Sequence, residues 1–153
     1  MNRALITALT AIGAAQVLKV PMQYRVNGQW NWGKSVGSGG MPSSHSSGVA
    51  ALATYIGIRN GIKSPAFALA SMLGTIVMYD AMNLRRHTGE IAIQVNDLDA
   101  HVETLAGQDP GLYHDRRKER LEESIGHQPE EVLAGALLGA AIGAAGALTA
   151  PRH

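Results

Sequence analysis

Cysteine is absent from the 153 residues, phenylalanine occurs once, and aromatic residues make up only 5% of the chain. The first absence excludes a disulfide framework, a thiolate zinc site and a cysteine nucleophile. The second leaves little of the bulky material from which a water-soluble core is packed. Acidic residues are missing from the whole of Met1 to Tyr79, where Arg3, Lys19, Arg25, Lys34, Arg59 and Lys63 give six positive charges. Asp80 is the first acid, and the other eleven fall between Glu90 and Glu131. The net charge of +1 is therefore the mean of two unlike halves, and it argues against a dedicated nucleic-acid binder. At this length a single domain over residues 1–153 is expected.

What the chain has in quantity is small and apolar. Four stretches carry no charge: Ala4 to Leu18, Ser46 to Ile58, Ser64 to Tyr79, and Val132 to Ala150. The last runs for nineteen residues, which at ~1.5 Å per residue cover most of a ~30 Å hydrocarbon layer. Within it Gly135, Gly139 and Gly143 recur every four residues, along one helix face, where a second backbone can approach. The shorter stretches also suit the core of a soluble bundle, but their Ala, Gly, Ser and Thr content favours helices packed in lipid. Met1 to Lys19 has the look of a secretory leader. Gln16 and Lys19 stand where small residues would be needed for cleavage, so the segment is read as retained.

Arg59-Asn60-Gly61-Ile62-Lys63 is a short turn, and Ser64-Pro65 opens the helix after it. Two long connections remain, Val20 to His45 and Leu84 to Glu131. In the second, opposite charges three and four residues apart predict a surface helix over Tyr113 to Ile125. The expected fold is all-α: a membrane-embedded bundle of about four core helices with one polar surface helix.

Antiparallel crossing brings alternate helix ends to one side. Lys19 closes the first stretch, His45 opens the second, Arg85 and Arg86 follow the third, and His127 with Glu131 opens the fourth. Two imidazoles, cations and a carboxylate without cysteine suggest phosphate chemistry. Lys and Arg would neutralise the phosphoryl oxygens, and one histidine would attack while the other serves as general acid and base. His127 and Glu131 have the spacing at which a carboxylate fixes an imidazole tautomer on one helical turn. Gly39-Gly40-Met41-Pro42-Ser43-Ser44-His45-Ser46 reads as a helix start, where backbone N–H groups and the hydroxyls of Ser43 or Ser44 favour an anion.

The stretches GGMPSSHS, YDAMNLRR and GHQPEEVLAG resemble signatures of the divergent type 2 phosphatidic acid phosphatase family, related to vanadium haloperoxidases, and the resemblance extends over nearly the whole chain. It implies an all-helical, metal-independent phosphatase with no cofactor. By position it makes His45 the general acid and base, His127 the nucleophile and Glu131 the residue that orients it. Lys19 becomes the first-motif lysine, and Lys34 stands in for a cation that Arg25 does not match. Ser44 replaces the motif's glycine and Glu131 its aspartate. No arginine lies six residues before His127, where Leu121 stands, so the phosphate arginine falls to Arg85 or Arg86. The implied substrate is a lipid or isoprenoid phosphate, hydrolysed through a phosphohistidine. The alternative is an inactive protein of the same fold that binds an anionic lipid or a partner, and a homo-oligomer is compatible with either. Nine basic residues on the site side against four opposite favour a multi-pass protein of the cell membrane with a cytoplasmic site.

Two other signals compete. Gly28-Gln29-Trp30-Asn31-Trp32-Gly33-Lys34-Ser35 fits a nucleotide-binding loop, but no helix can follow Ser35 through Val-Gly-Ser-Gly-Gly-Met-Pro, and the tryptophans suit a membrane interface better. Asp97, Asp99, His101 and Glu103 could line an extended segment as metal ligands, though their spacing is diagnostic of no ion and a solvated loop is the preferred reading.

Overall fold

A computed structural model describes residues 2–27, 40–107, 120–123 and 125–151. These form five helices and, among the described residues, no strand: α1 (Arg3–Asn27), α2 (Ser44–Asn60), α3 (Pro65–Met82), α4 (Leu84–Ala106) and α5 (Pro129–Thr149). Lys34, the glycine-rich match over 28–35, Trp30 and Trp32 lie outside the described residues.

The helix starts are set locally. Ser43 caps α2 by accepting from the Ser46 N–H, and Ser64 caps α3 by accepting from that of Phe67, with Pro65 in the first turn. Gln128 caps α5 reciprocally with Glu131, again followed by a proline. Between α2 and α3 the turn pivots on Gly61, whose φ of 86° is accessible to glycine at little cost.

α2 is the hub, packed on α1, α3 and α5, and its closest partner is α5. A Cβ on Gly135 or Gly139 would run into the carbonyl oxygen of Ser43 or Ser47, and one on Gly143 would lie 2.5 Å from that of Ala51. These pairs advance together along both helices, so α2 and α5 run parallel with their N-termini at the same end. At the other end Arg59 of α2 donates to the Ala150 carbonyl at 3.1 Å. α1 runs the opposite way: Ser47 Oγ donates to the Ala11 carbonyl at 3.1 Å, and Thr7 sits against Gly146. α3 is also antiparallel to α2, with Phe67 against Gly57 and Gly74 against Val49.

Small residues fill the interior, among them Ala8, Ala11, Ala15, Ser46, Ser47, Ala51 and Ala147, while Leu5, Leu9, Leu69, Met72, Ile76, Leu133, Leu137 and Leu148 face outward. That distribution reverses a water-soluble core and matches helices whose solvent is lipid. α1, α3 and α5 are each long and apolar enough to cross a bilayer, whereas the 17-residue α2 does not reach the same length.

Three expectations are corrected. α1 does not stop at Leu18 but continues through Pro21 to Asn27, so Lys19 sits inside the helix. The polar helix that the structure describes is α4; of the helix expected over Tyr113 to Ile125, residues 113–119 and 124 lie outside the described residues, and residues 120–123 and 125 are not helical. Side chain–backbone bonds hold that strap to α4: Asn96 donates to the Leu121 carbonyl at 3.0 Å and accepts from the Leu121 N–H at 2.9 Å. Two hydrogen bonds with one side chain replace those a further helical turn would have made. Asp97, Asp99, His101 and Glu103 therefore lie on a helix, where alternate residues point about 200° apart. Among the described residues no three His, Asp or Glu side chains cluster to hold a metal ion.

Candidate phosphate site

Because α2 and α5 start side by side, two helix N-termini meet at one end of the bundle, an arrangement that favours an anion. Their junction is fixed through the main chain. The Ser43 N–H donates to the Glu131 carbonyl at 3.0 Å, and the His127 N–H donates to the carbonyl of Ala81 in α3 at 3.0 Å. His127 thus enters the site on a backbone held by two other helices.

The approach to that junction requires Gly126. Its φ is 97°, and a Cβ there would lie 2.5 Å from the Arg86 backbone nitrogen. Sequence reasoning did not single out Gly126 or the Ala81 carbonyl; the glycine directly before His127 was the one available signal. Gly126→Ala is expected to push the His127 strand off the α3–α4 junction and destabilise the protein by about 1–3 kcal/mol, from strained φ and overpacking together. A thermal melt in detergent checks it.

His127 is 3% exposed. Its Nδ1 lies 2.8 Å from Glu131 Oε2, an oxygen that also accepts from the Gln128 N–H at 3.2 Å. A carboxylate only accepts, so Nδ1 carries a proton, and in the neutral ring the other nitrogen has a lone pair. That nitrogen, Nε2, is buried and has no hydrogen-bond partner. The His45 ring stands 6.4 Å away, centroid to centroid, and is inclined by 61°. Lys19, only 1% exposed, lies within electrostatic reach of both Glu131 and His45.

His45 occupies the half-exposed mouth of the site. Partial burial holds its pKa below the usual histidine range, and the charges of Arg85, His127 and Lys19 act in the same direction, against the opposing pull of Asp80. Arg85 and Arg86 do not end α3, as expected, but open α4, and the two diverge. Arg85 pairs with Asp80 at 2.8 Å and is the arginine that bears on His45. Arg86 pairs with Glu90 at 3.1 Å and lines a pocket of about 320 Å³ beside His127, Gln128 and Glu131. Ser43 and Ser44 are both buried at the α2 start, with the Ser43 hydroxyl accepting from Ser46 Oγ at 3.0 Å. The structure thus brings together Lys19, Ser43, His45, Arg85, His127 and Glu131, with Arg86 on the far side of His127.

Comparison with known proteins follows the same outline. A family described as "Divergent PAP2 family" matches residues 1–142. A Bacillus subtilis (strain 168) protein, named as the uncharacterized membrane protein YuiD, is 38% identical over 141 residues, covering 90% of this chain and 89% of that one. No solved structure matches.

Proposed function

The chain belongs to the divergent PAP2 family, and from that premise we propose that it is a membrane phosphatase that hydrolyses a lipid-linked phosphate through a phosphohistidine on His127. One observation carries this reading: Nε2 of His127 is buried and unpartnered while Nδ1 is tied to Glu131, with a second imidazole facing it. A histidine kept for packing would have both nitrogens satisfied.

The chemistry follows from those positions. Lys19 and Arg85, with the two helix N-termini, draw the phosphoryl oxygens in and offset their charge. The His127 Nε2 lone pair forms a bond to phosphorus as the bond to the ester oxygen breaks. That oxygen takes the electron pair and a proton from His45, while Glu131 stabilises the positive ring. Water then gives a proton to His45 and attacks phosphorus; the P–N bond breaks, releasing inorganic phosphate and neutral His127. A lipid substrate suits a site at the ends of helices whose flanks are apolar, since its phosphate reaches the helix starts while its tail stays in the bilayer. The excess of basic residues that the sequence pattern assigns to this side favours the cytoplasmic face.

Purified protein in detergent, given lipid phosphates and a chelator, is expected to release inorganic phosphate. The acid quench should trap little phosphoprotein and a base quench more, because a phosphorus–nitrogen bond is acid-labile. The pH profile carries a sign. His45 must hold a proton to act as acid, and its pKa in the free enzyme is lowered, so kcat/KM should fall with rising pH through a limb below 6.5. Arg85→Gln removes a neighbouring positive charge and should move that limb to higher pH. A lowered histidine pKa also means that acidification through 6.5 destabilises the fold.

A second reading has its own support. Both candidate arginines are paired with carboxylates, Arg85 with Asp80 and Arg86 with Glu90, as in a site that binds an anion without turning it over. Binding of a lipid phosphate with no phosphate release over a substrate panel favours that reading.

A further inference from the structure

Among the described residues nothing covers an apolar seam of α4. Leu84, Ile91, Leu98 and Leu105 recur every seven residues and are 67%, 59%, 62% and 59% exposed. Thr88, Val95 and Val102 fall four residues after the first three, and the two valines are half-buried. Together they spell three heptads with leucine or isoleucine at one core position and two valines at the other. Regular 3.5-residue spacing keeps a seam facing another helix along its whole length, whereas an ideal 3.6-residue helix lying on a flat surface drifts away from it. Gly89 and Asn96, which meet the chain's own strap, and the buried Ala92 between them lie about 110° round the helix from this seam.

We propose that α4 pairs with α4 of a second copy as a parallel two-stranded coiled coil, with Leu84, Ile91, Leu98 and Leu105 in its core. β-branched residues at one core position with leucine at the other favour two parallel strands. The flanking positions agree. Arg85 and Asp99 fall on one flank, with Ala92 between them already buried within the chain, and His87, Gln94 and His101 on the other, so in the parallel register Gln94 falls opposite the partner's Asp99. No pair of like charges is opposed. Glu90 and Asp97 point away from the seam. A membrane surface is the poorer occupant, because amphipathic helices that lie on lipid are rich in Lys and Arg, and α4 carries none after Arg86 but four carboxylates. The four large side chains offer on the order of 400 Å² of apolar area per chain, about half of one partner's share of a standard interface before the valines and flanks are added.

The absence of cysteine from the chain makes the test direct. Leu98→Cys in the full-length protein, oxidised in native membranes, is expected to give a disulfide-linked dimer, because equivalent core positions of a parallel pair lie within bridging distance. Ala100→Cys, on the opposite face, should stay monomeric under the same treatment. Leu98→Glu should convert a detergent-solubilised dimer to monomer by light scattering while circular dichroism keeps its helix content. The proposal is overturned by a monomeric wild type, by equal crosslinking at both positions, or by quenching of a fluorophore at Cys-substituted position 98 by a lipid-borne quencher, which would make the bilayer the occupant.

Discussion

Exchanging His127 for alanine is expected to lower phosphate release from a lipid phosphate by on the order of 10⁴-fold or more and to abolish the acid-labile phosphoprotein. The size follows from what the residue does: among the described residues no other imidazole is buried with one nitrogen fixed by a carboxylate and the other unpartnered. Glu131→Gln separates orientation from nucleophilicity. It keeps a side chain able to accept from the Gln128 N–H at the α5 start, so the fold should persist, but it removes the charge that stabilises the ring as phosphorus bonds to it. A loss of roughly 10²- to 10⁴-fold in kcat is expected, by analogy with the buried acid of a serine-protease triad. Single-turnover kinetics should place the loss in formation of the phosphoprotein. His45→Ala should instead slow both formation and hydrolysis by about 10²- to 10⁴-fold, since one group serves both proton transfers. Phosphate release that survives His127→Ala would remove His127 as the nucleophile.

The end-to-end layout was legible because its signals are local. Uncharged runs mark α1, α2, α3 and α5, capping serines and prolines mark three helix starts, and Asn60-Gly61 marks the turn between α2 and α3. Alternating chain direction then brings His45 and His127 to one end without any knowledge of packing. α4 was not legible in the same way. Its apolar seam is spread thinly among Arg85, Arg86, Glu90, Asp97, Asp99 and Glu103, so the segment reads as polar connection, while the denser charges after residue 115 draw the helix reading to themselves. The passage of α1 through Pro21 was not legible, because a proline after an apolar run reads as a helix stop. The divergence of Arg85 from Arg86 is a matter of about 100° of helix rotation, fixed only when the start of α4 is known. Gly126 needed coordinates because its constraint is the backbone of Arg86, forty residues earlier in the chain.

The glycines of α5 set the distance on which this chemistry depends, and Gly139 is where that distance is most tightly held. A Cβ there would meet the carbonyl oxygen and carbon and the Cα of Ser47, all backbone, so neither helix can yield by turning a side chain. α5 would have to move away from α2 along the contact that carries the Ser43–Glu131 hydrogen bond and the facing histidines. Gly139→Ala is therefore expected to destabilise the bundle by about 3 kcal/mol, the upper end of the usual overpacking cost, and to lower the melting midpoint by roughly 10 °C. Gly139→Val should not fold. Gly13 supplies the contrast: a Cβ at this position in α1 meets nothing within 4 Å, so Gly13→Ala should leave the stability unchanged or raise it by up to about 1 kcal/mol through helix propensity. Activity should follow the same order, since a displaced α5 carries His127 away from His45. Equal melting points for Gly139→Ala and Gly13→Ala would show that the two helices do not meet backbone to backbone.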